Sequence, residues 1–162
     1  MVSYYSFIAY SGTGKTTYIE KLIAELKSRG IKVAAIKHDA HEFEIDKKGK
    51  DSWRFAQAGA DTVTVASQTK CAVMYYYPVS LQEILNQVKG ADLILVEGWH
   101  EEAPNKILVH RISSGLEPKL AYNDCIAVVC DEMPDTGKVP LFPIDDPAPM
   151  ADFLAQKIGI SN

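Results

Sequence analysis

The chain has 162 residues, 47% hydrophobic and 23% charged, with a net charge of −4. That length suits a single nucleotide-binding-sized domain over residues 1–162, and the acidic balance disfavours nucleic acid as the main partner. No apolar run approaches the ~18 residues of a membrane span, the N-terminus lacks the pattern of a secretory signal, and the three cysteines, Cys71, Cys125 and Cys130, read as reduced thiols of a cytoplasmic protein.

Residues 3–9 (SYYSFIA), short, aromatic and β-rich, predict a first strand. A glycine-bearing turn follows. Residues 16–29 then place Ile19, Leu22, Ile23 and Leu26 on one helical face, with Lys27 and Arg29 in the last turn and Gly30 placed to end it. Residues 32–37 (KVAAIK) are an almost wholly apolar second strand, which points to a parallel sheet covered by helices. Strand, helix and strand together make a right-handed βαβ unit. Residues 38–50 read as a polar loop and 51–59 as a short helix, in which Trp53 is the expected core anchor.

Residues 62–66 and 71–77 flank SQTK as a hairpin. Residues 80–88 predict a helix opened by a Ser80–Glu83 capping box, with Leu81, Ile84, Leu85 and Val88 as its apolar face. Residues 92–96 (DLILV) are a buried strand that ends at Glu97-Gly98, and 106–112 and 125–130 are further strands. Residues 150–158 are a closing helix after Pro149. The pattern predicts an α/β fold: a P-loop NTPase-like, mostly parallel sheet flanked by helices, with a β-hairpin insertion. Residues 38–50, 98–105 and 131–149 are the most irregular.

The turn after the first strand, AYSGTGKTT, fits the phosphate-loop pattern G-x-x-x-x-G-K-[ST], with Ala9 at the first glycine position. Glycine lets backbone N–H groups approach a phosphate, and the helix N-terminus adds free donors and a partial positive charge. Ser11, Gly12, Thr13, Gly14, Lys15, Thr16 and Thr17 are the candidate nucleotide ligands, with Lys15 beside the β and γ phosphates and the Thr16 hydroxyl on Mg²⁺. Such a site needs a carboxylate at the end of a buried strand, and Glu97 stands there as the second metal ligand. Lys15 and Glu97 are therefore the candidate catalytic pair.

Lys37, His38, Asp46, Asp51 and Arg54 are bunched in KHDAHEFEIDKKGKDSWR after the second strand, on the ligand side of such a sheet, and form a candidate second anion site. His38 and His41 at i, i+3 are a weaker metal pair. No Asn-Lys-x-Asp stretch is present to read guanine. Asp131, after the strand CIAVVC, lies where a base-reading loop belongs on topology alone.

AYSGTGKTT, IKHDAHEFEIDKKGKDSWRFAQAGAD, LVEGW and a Pro-x-Lys-Ile strand ending in Arg111 occur in this order. Over residues 4–112 they resemble the molybdopterin-guanine dinucleotide biosynthesis protein B (MobB) family. The resemblance implies a GTP-binding accessory protein with weak GTPase activity. Such a protein assists the guanylyltransferase that joins GMP to molybdopterin, and it is a homodimer with an α/β core. It further implies GTP and Mg²⁺ as cofactors and the transferase and molybdopterin as partners. Lys37, His38, Asp46, Asp51, Ser52 and Arg54 match the family's second motif and Arg111 its later arginine. Of these, Lys37, His38, Asp46, Asp51, Arg54 and Arg111 are the candidate site for the pterin or another anion. Ala9 for glycine, Trp99-His100 for the family's Phe-Lys, and Leu108 for a common Glu are the departures. Three rival functions stay open on the residues: a small-molecule kinase, a metal-insertion GTPase using His38, His41 and His100, and a plain nucleotide-binding module that holds a complex together without hydrolysis.

Overall fold

The computed structural model describes residues 2–38, 43–99 and 103–160. In chain order the elements are β1 (Ser3–Ile8), α1 (Lys15–Ser28), β2 (Val33–Lys37), α2 (Asp51–Gln57), β3 (Thr62–Ala66), β4 (Cys71–Tyr75), α3 (Leu81–Gln87), β5 (Leu93–Glu97), β6 (Lys106–His110), β7 (Ala127–Cys130), β8 (Leu141–Pro143) and α4 (Ala148–Lys157), with 3₁₀ turns at Ile112–Ser114 and Tyr122–Asp124. They fall into two compact units: Met1–His38 with Val88–Asn162, and Asp39–Gln87.

The first unit holds a six-stranded sheet in the order β2-β5-β1-β6-β7-β8, and every pairing in it is parallel. Alternate residues of the strands face opposite sides. Tyr5, Phe7, Leu95, Ile107, Val109 and Val129 pack one face against Leu22 and Leu26 of α1 and Met150 and Leu154 of α4. Leu108, Val128 and Cys130 turn to the other face, with Cys125 beside them and Ile112, Leu120, Tyr122 and Leu141 over them. Burial pushes the Cys125 and Cys130 thiols above their ordinary range. Both are free, as is the exposed Cys71.

The apolar face predicted for the first helix is the buried one, with Ile19, Leu22 and Leu26 joined by Tyr18. Arg29 then ties α1 to α4. Its Nη2 donates to Glu25 Oε1 at 2.8 Å and to the Ala148 carbonyl at 3.2 Å, and its Nη1 pairs with Asp152. β2 is less buried than its apolar sequence suggests, because it lies at the sheet edge. β8, a three-residue edge strand, lies inside a stretch the sequence reads as irregular. A run this short, ending in proline, carries no alternation to detect.

In the second unit β3 and β4 pair antiparallel, Val63 opposite Met74, as the predicted hairpin. The capping box is formed: Ser80 N donates to Glu83 Oε2 at 2.9 Å, and Glu83 N donates to Ser80 Oγ at 3.3 Å. α2 has no fully buried residue, so Trp53 is half-buried rather than a core anchor. No helix among the described residues is long and apolar enough to cross a membrane.

Candidate nucleotide-binding site

The turn between β1 and α1 starts at Ala9, only 5% exposed, whose methyl packs into the core. Alanine serves at this position because its backbone is not left-handed, whereas Gly12 (φ 79°) and Gly14 (φ 92°) are. Thr13 closes the turn, its Oγ1 donating to the Tyr10 carbonyl at 2.8 Å. α1 begins at Lys15 with Gly14 as its N-cap, no side-chain capping bond and no acid in the first turn. No acid of α1 itself therefore offsets the positive helix end, and the carboxylate that reaches its first turn is Glu97, from β5.

Glu97 is brought to this turn by strand register. It ends β5, opposite Phe7 of β1 on one side and Lys37 of β2 on the other. Lys15 Nζ donates to Glu97 Oε1 at 2.8 Å, the two side chains being 16% and 17% exposed. Thr16 Oγ1 lies 3.2 and 3.3 Å from the two Glu97 oxygens. A hydroxyl and a carboxylate within one hydrogen bond of each other are the hard oxygen donors that Mg²⁺ takes. Beside them a cavity of about 200 Å³ opens between α1, β2 and β5, lined by Thr16, Glu20, Lys37 and Glu97 among others.

The chain after Glu97 is tightly held. The Glu97 carbonyl accepts from His38 N at 2.7 Å. The Gly98 carbonyl accepts from Oγ of the fully buried Ser6 at 2.8 Å. Gly98 is left-handed (φ 98°), and a Cβ there would stand 2.8 Å from both Cβ and O of His38. Trp99 has a positive φ of 49° and its ring stacks on His38, 4.1 Å between centroids. Neither Ser6 nor the Trp99 stack is marked by any motif in the sequence.

On the other side of β1, Arg111 follows β6. Its Nε donates to the Thr13 carbonyl at 2.9 Å, and its Nη1 stands 4.0 Å from Asp131. Lys119, which the sequence does not single out, donates Nζ to the Ala9 carbonyl at 3.3 Å and lies over the Tyr10 ring. Asp131 accepts from Ile112 N at 2.8 Å, Ser113 N at 3.3 Å and Ser113 Oγ. The Ser113 hydroxyl, ahead of the two backbone N–H groups, holds its carboxyl down at about 2. Both carboxylate oxygens are thereby engaged in fixing the first 3₁₀ turn.

The structure therefore brings together Gly12, Thr13, Gly14, Lys15, Thr16, Glu97 and Arg111, with Lys37 and His38 at the adjoining strand end; Ser11 and Thr17 flank them in the loop and the helix. Asp46, Asp51 and Arg54 belong to the second unit. There Asp46 Oδ1 accepts from Lys47 N and Ser52 Oγ at 2.8 and 2.9 Å, and Asp51 and Arg54 are an exposed pair 3.6 Å apart. His41 and His100 lie outside the described residues, so the His38–His41 pair does too. Among the described residues no group of three or more His, Cys, Asp or Glu side chains is arranged to hold a metal ion.

The family model of molybdopterin guanine dinucleotide synthesis protein B, MobB, matches residues 5–131. The chain is 38% identical to the molybdopterin-guanine dinucleotide biosynthesis adapter protein of Escherichia coli K12, covering 96% of this chain and 93% of that one. It is 40% identical to the protein of that name from Haemophilus influenzae, covering 90% and 83%. Among solved structures it is similar to molybdopterin-guanine biosynthesis protein B, with a TM-score of 0.72, 27% identity and 96% and 99% of the two chains covered. It also shares the fold of Bacillus subtilis MobB, with a TM-score of 0.73, 24% identity and 96% and 97% coverage. A phosphate loop set between β1 and α1 on a parallel sheet, and a family match running from that loop through Arg111 to Asp131, lead to one conclusion: this chain belongs to the MobB family.

Proposed function

We propose that this chain is an adapter protein of molybdopterin-guanine dinucleotide biosynthesis, which binds GTP with Mg²⁺ in the cytoplasm and supports the guanylyltransferase that joins GMP to molybdopterin. The observation that carries the reading is the Lys15–Thr16–Glu97 cluster at the mouth of an uncapped helix, in a chain of this family. Loop amides and Lys15 would hold the phosphates, and Thr16 and Glu97 would hold Mg²⁺, which would supply neutralisation of phosphate charge. Lys15 and Glu97, paired at 2.8 Å, would take the phosphates and the metal respectively, so nucleotide and Mg²⁺ binding would be coupled. Lys37 and His38, beside Glu97, face a second anion such as the pterin phosphate. Asp46, Asp51 and Arg54, matched to the family's second motif, contact the pterin or the transferase.

Hydrolysis is slow in this reading. Arg111 donates to the loop's own carbonyl, and an arginine that instead reaches the transferring phosphate is worth ~10³–10⁵ in rate. The protein works as a homodimer through its second unit. Of the ten large apolar side chains exposed among the described residues, seven (Phe43, Ile45, Phe55, Val65, Val73, Tyr76 and Tyr77) lie there, and a lone two-stranded sheet is marginal in water.

The test is titration of wild type and Lys15→Ala with GTP and with ATP in the presence of Mg²⁺. GTP binding that is lost in the variant, with little ATP binding, is the expected result. Equal binding of both nucleotides removes the guanine preference and raises the kinase reading. Binding of neither overturns the site. The guanine preference itself rests on family membership.

A further inference from the structure

Two cations that no phosphate-loop motif contains grip the loop from the side of β6. Arg111 Nε donates to the Thr13 carbonyl at 2.9 Å, and Lys119 Nζ donates to the Ala9 carbonyl at 3.3 Å. Ala9 is the first residue of the loop and Thr13 stands next to its last glycine, so both ends are held. From these contacts we infer that Arg111 and Lys119 are positioning residues, which set the direction of the loop's phosphate-binding amides rather than contacting the nucleotide's terminal phosphate or a second anion. The inference rests on the nucleotide reading above.

The physical basis is the planarity of the peptide unit. In a trans peptide the C=O and the following N–H point in opposite directions. A guanidinium that draws the Thr13 carbonyl toward β6 therefore turns the Gly14 N–H away from β6. Gly14 is the last loop residue before Lys15 and the N-cap of α1, and its amide is one of those that cradle a phosphate. Gly14 has no Cβ to restrict this peptide and sits at a left-handed φ of 92°, so contacts from outside the loop help to set its direction. Arg111 also lies against that glycine: a Cβ at Gly14 would be in ordinary van der Waals contact with Arg111 Nη2, at 3.6 Å.

Arg111 is itself aimed. Asp131 stands 4.0 Å from its Nη1, and the same carboxylate accepts from Ile112 N and Ser113. It thereby fixes the turn that begins right after Arg111. Lys119 is steadied by its place over the Tyr10 ring, 5.6 Å from the centroid. One connection, from β6 to β7, thus supplies both braces. Each also leaves a positive charge close to the loop.

Loop positioning and terminal-phosphate binding make different predictions. The loop amides wrap the phosphates that GTP and GDP share, so a misaligned loop weakens both nucleotides to a similar extent and lowers the rate at saturation by less than the affinity. A γ-phosphate ligand or arginine finger affects GTP or the saturated rate alone. The experiment titrates Mg²⁺-GTP and Mg²⁺-GDP into wild type, Arg111→Ala, Arg111→Lys and Lys119→Met, and measures hydrolysis at saturating GTP. It also follows amide hydrogen exchange at residues 12–14 in the saturated Mg²⁺-GDP complex. Lys119→Met removes only the donor, which keeps the test open if Arg111→Ala folds poorly.

The expected result is a loss of about tenfold or more for both nucleotides in Arg111→Ala, a smaller equal loss in Lys119→Met, and partial recovery in Arg111→Lys, whose ammonium still reaches the carbonyl. Exchange at Gly14 in the GDP complex accelerates, and the saturated rate falls by less than the affinity does. Unchanged affinity and exchange, or a loss confined to GTP or to the rate, overturns the inference while the nucleotide site stands. Wild-type protein that binds neither nucleotide overturns both.

Discussion

Replacing Gly98 with alanine tests whether the corner after Glu97 is as tightly specified as its contacts imply. Two costs add. An L-residue held in the left-handed region, as φ 98° demands, costs roughly 1–2 kcal/mol. The new Cβ would stand 2.8 Å from both Cβ and O of His38. Backbone oxygen cannot rotate aside as a flexible side chain does, and His38 is held by its own N–H bond to the Glu97 carbonyl. Overpacking of this kind costs about 1–3 kcal/mol, so the total is about 2–5 kcal/mol. Gly30→Ala is the control: it is also left-handed (φ 77°), but nothing lies within 4 Å of its Cβ, so it carries the conformational cost alone. Urea unfolding followed by far-UV circular dichroism compares the two, and a further 2 kcal/mol in Gly98→Ala moves the midpoint by roughly 1 M. Gly98→Ala no more destabilising than Gly30→Ala would refute the argument that the His38 backbone closes this corner.

Arg29→Met keeps the apolar stem but removes the bonds to Glu25, Asp152 and the Ala148 carbonyl. Because Asp152 is 63% exposed, the loss is discounted for screening to about 1 kcal/mol, a fall of about 2–4 °C in Tm that shrinks at high salt. Ser80→Ala removes the reciprocal cap of α3 and costs about 1 kcal/mol, read as faster hydrogen exchange in the first turn of that helix. Asp131 gives an acid signature. Its carboxyl is lowered from 3.8 to about 2 in the fold, so its stabilising contribution is full above the unfolded value and is lost as pH falls through about 2. Asp131→Asn should therefore flatten the stability profile between about pH 4 and 2, measured by denaturant midpoints across that range.

Much of this arrangement was legible in the residues, for physical reasons that differ by element. The β1–loop–α1 unit could be read because periodicity, a glycine pair and a lysine–threonine step all report one structure. Leu22 and Leu26 are fully buried, as an apolar stripe at helical spacing requires. Glu97 could be read because a carboxylate ending DLILV has no place inside a core. β8 and the 3₁₀ turns could not, being too short to show a period. Lys119 was equally hidden: it donates to a carbonyl 110 positions away, a contact made by the β1–β6 pairing that leaves no local trace. Trp53 shows the opposite failure, a large aromatic read as core on size alone, in a helix that buries none of its residues fully.

The strand order explains why one short loop receives so much help. β1 lies between β5 and β6, and in a parallel sheet all three strands end on the same side. Whatever follows β5 and β6 therefore arrives beside the loop that follows β1. From β5 comes Glu97, in register with Phe7; from β6, whose Leu108 is in register with Ile8, comes Arg111 three residues on. The acid meets Lys15 and Thr16, and the cation meets the Thr13 carbonyl. Register is what keeps these roles apart. Side chains alternate along a strand, so sliding β5 by one residue against β1 would turn Glu97 to the opposite face and bring the fully buried Val96 toward Lys15. The C-terminal end of β5 is pinned from both sides, toward β1 by the Ser6 hydroxyl on the Gly98 carbonyl and toward β2 by His38 N–H on the Glu97 carbonyl. The tight packing around Gly98 is thus the means by which a buried sheet delivers the carboxylate at the end of β5 to the mouth of α1.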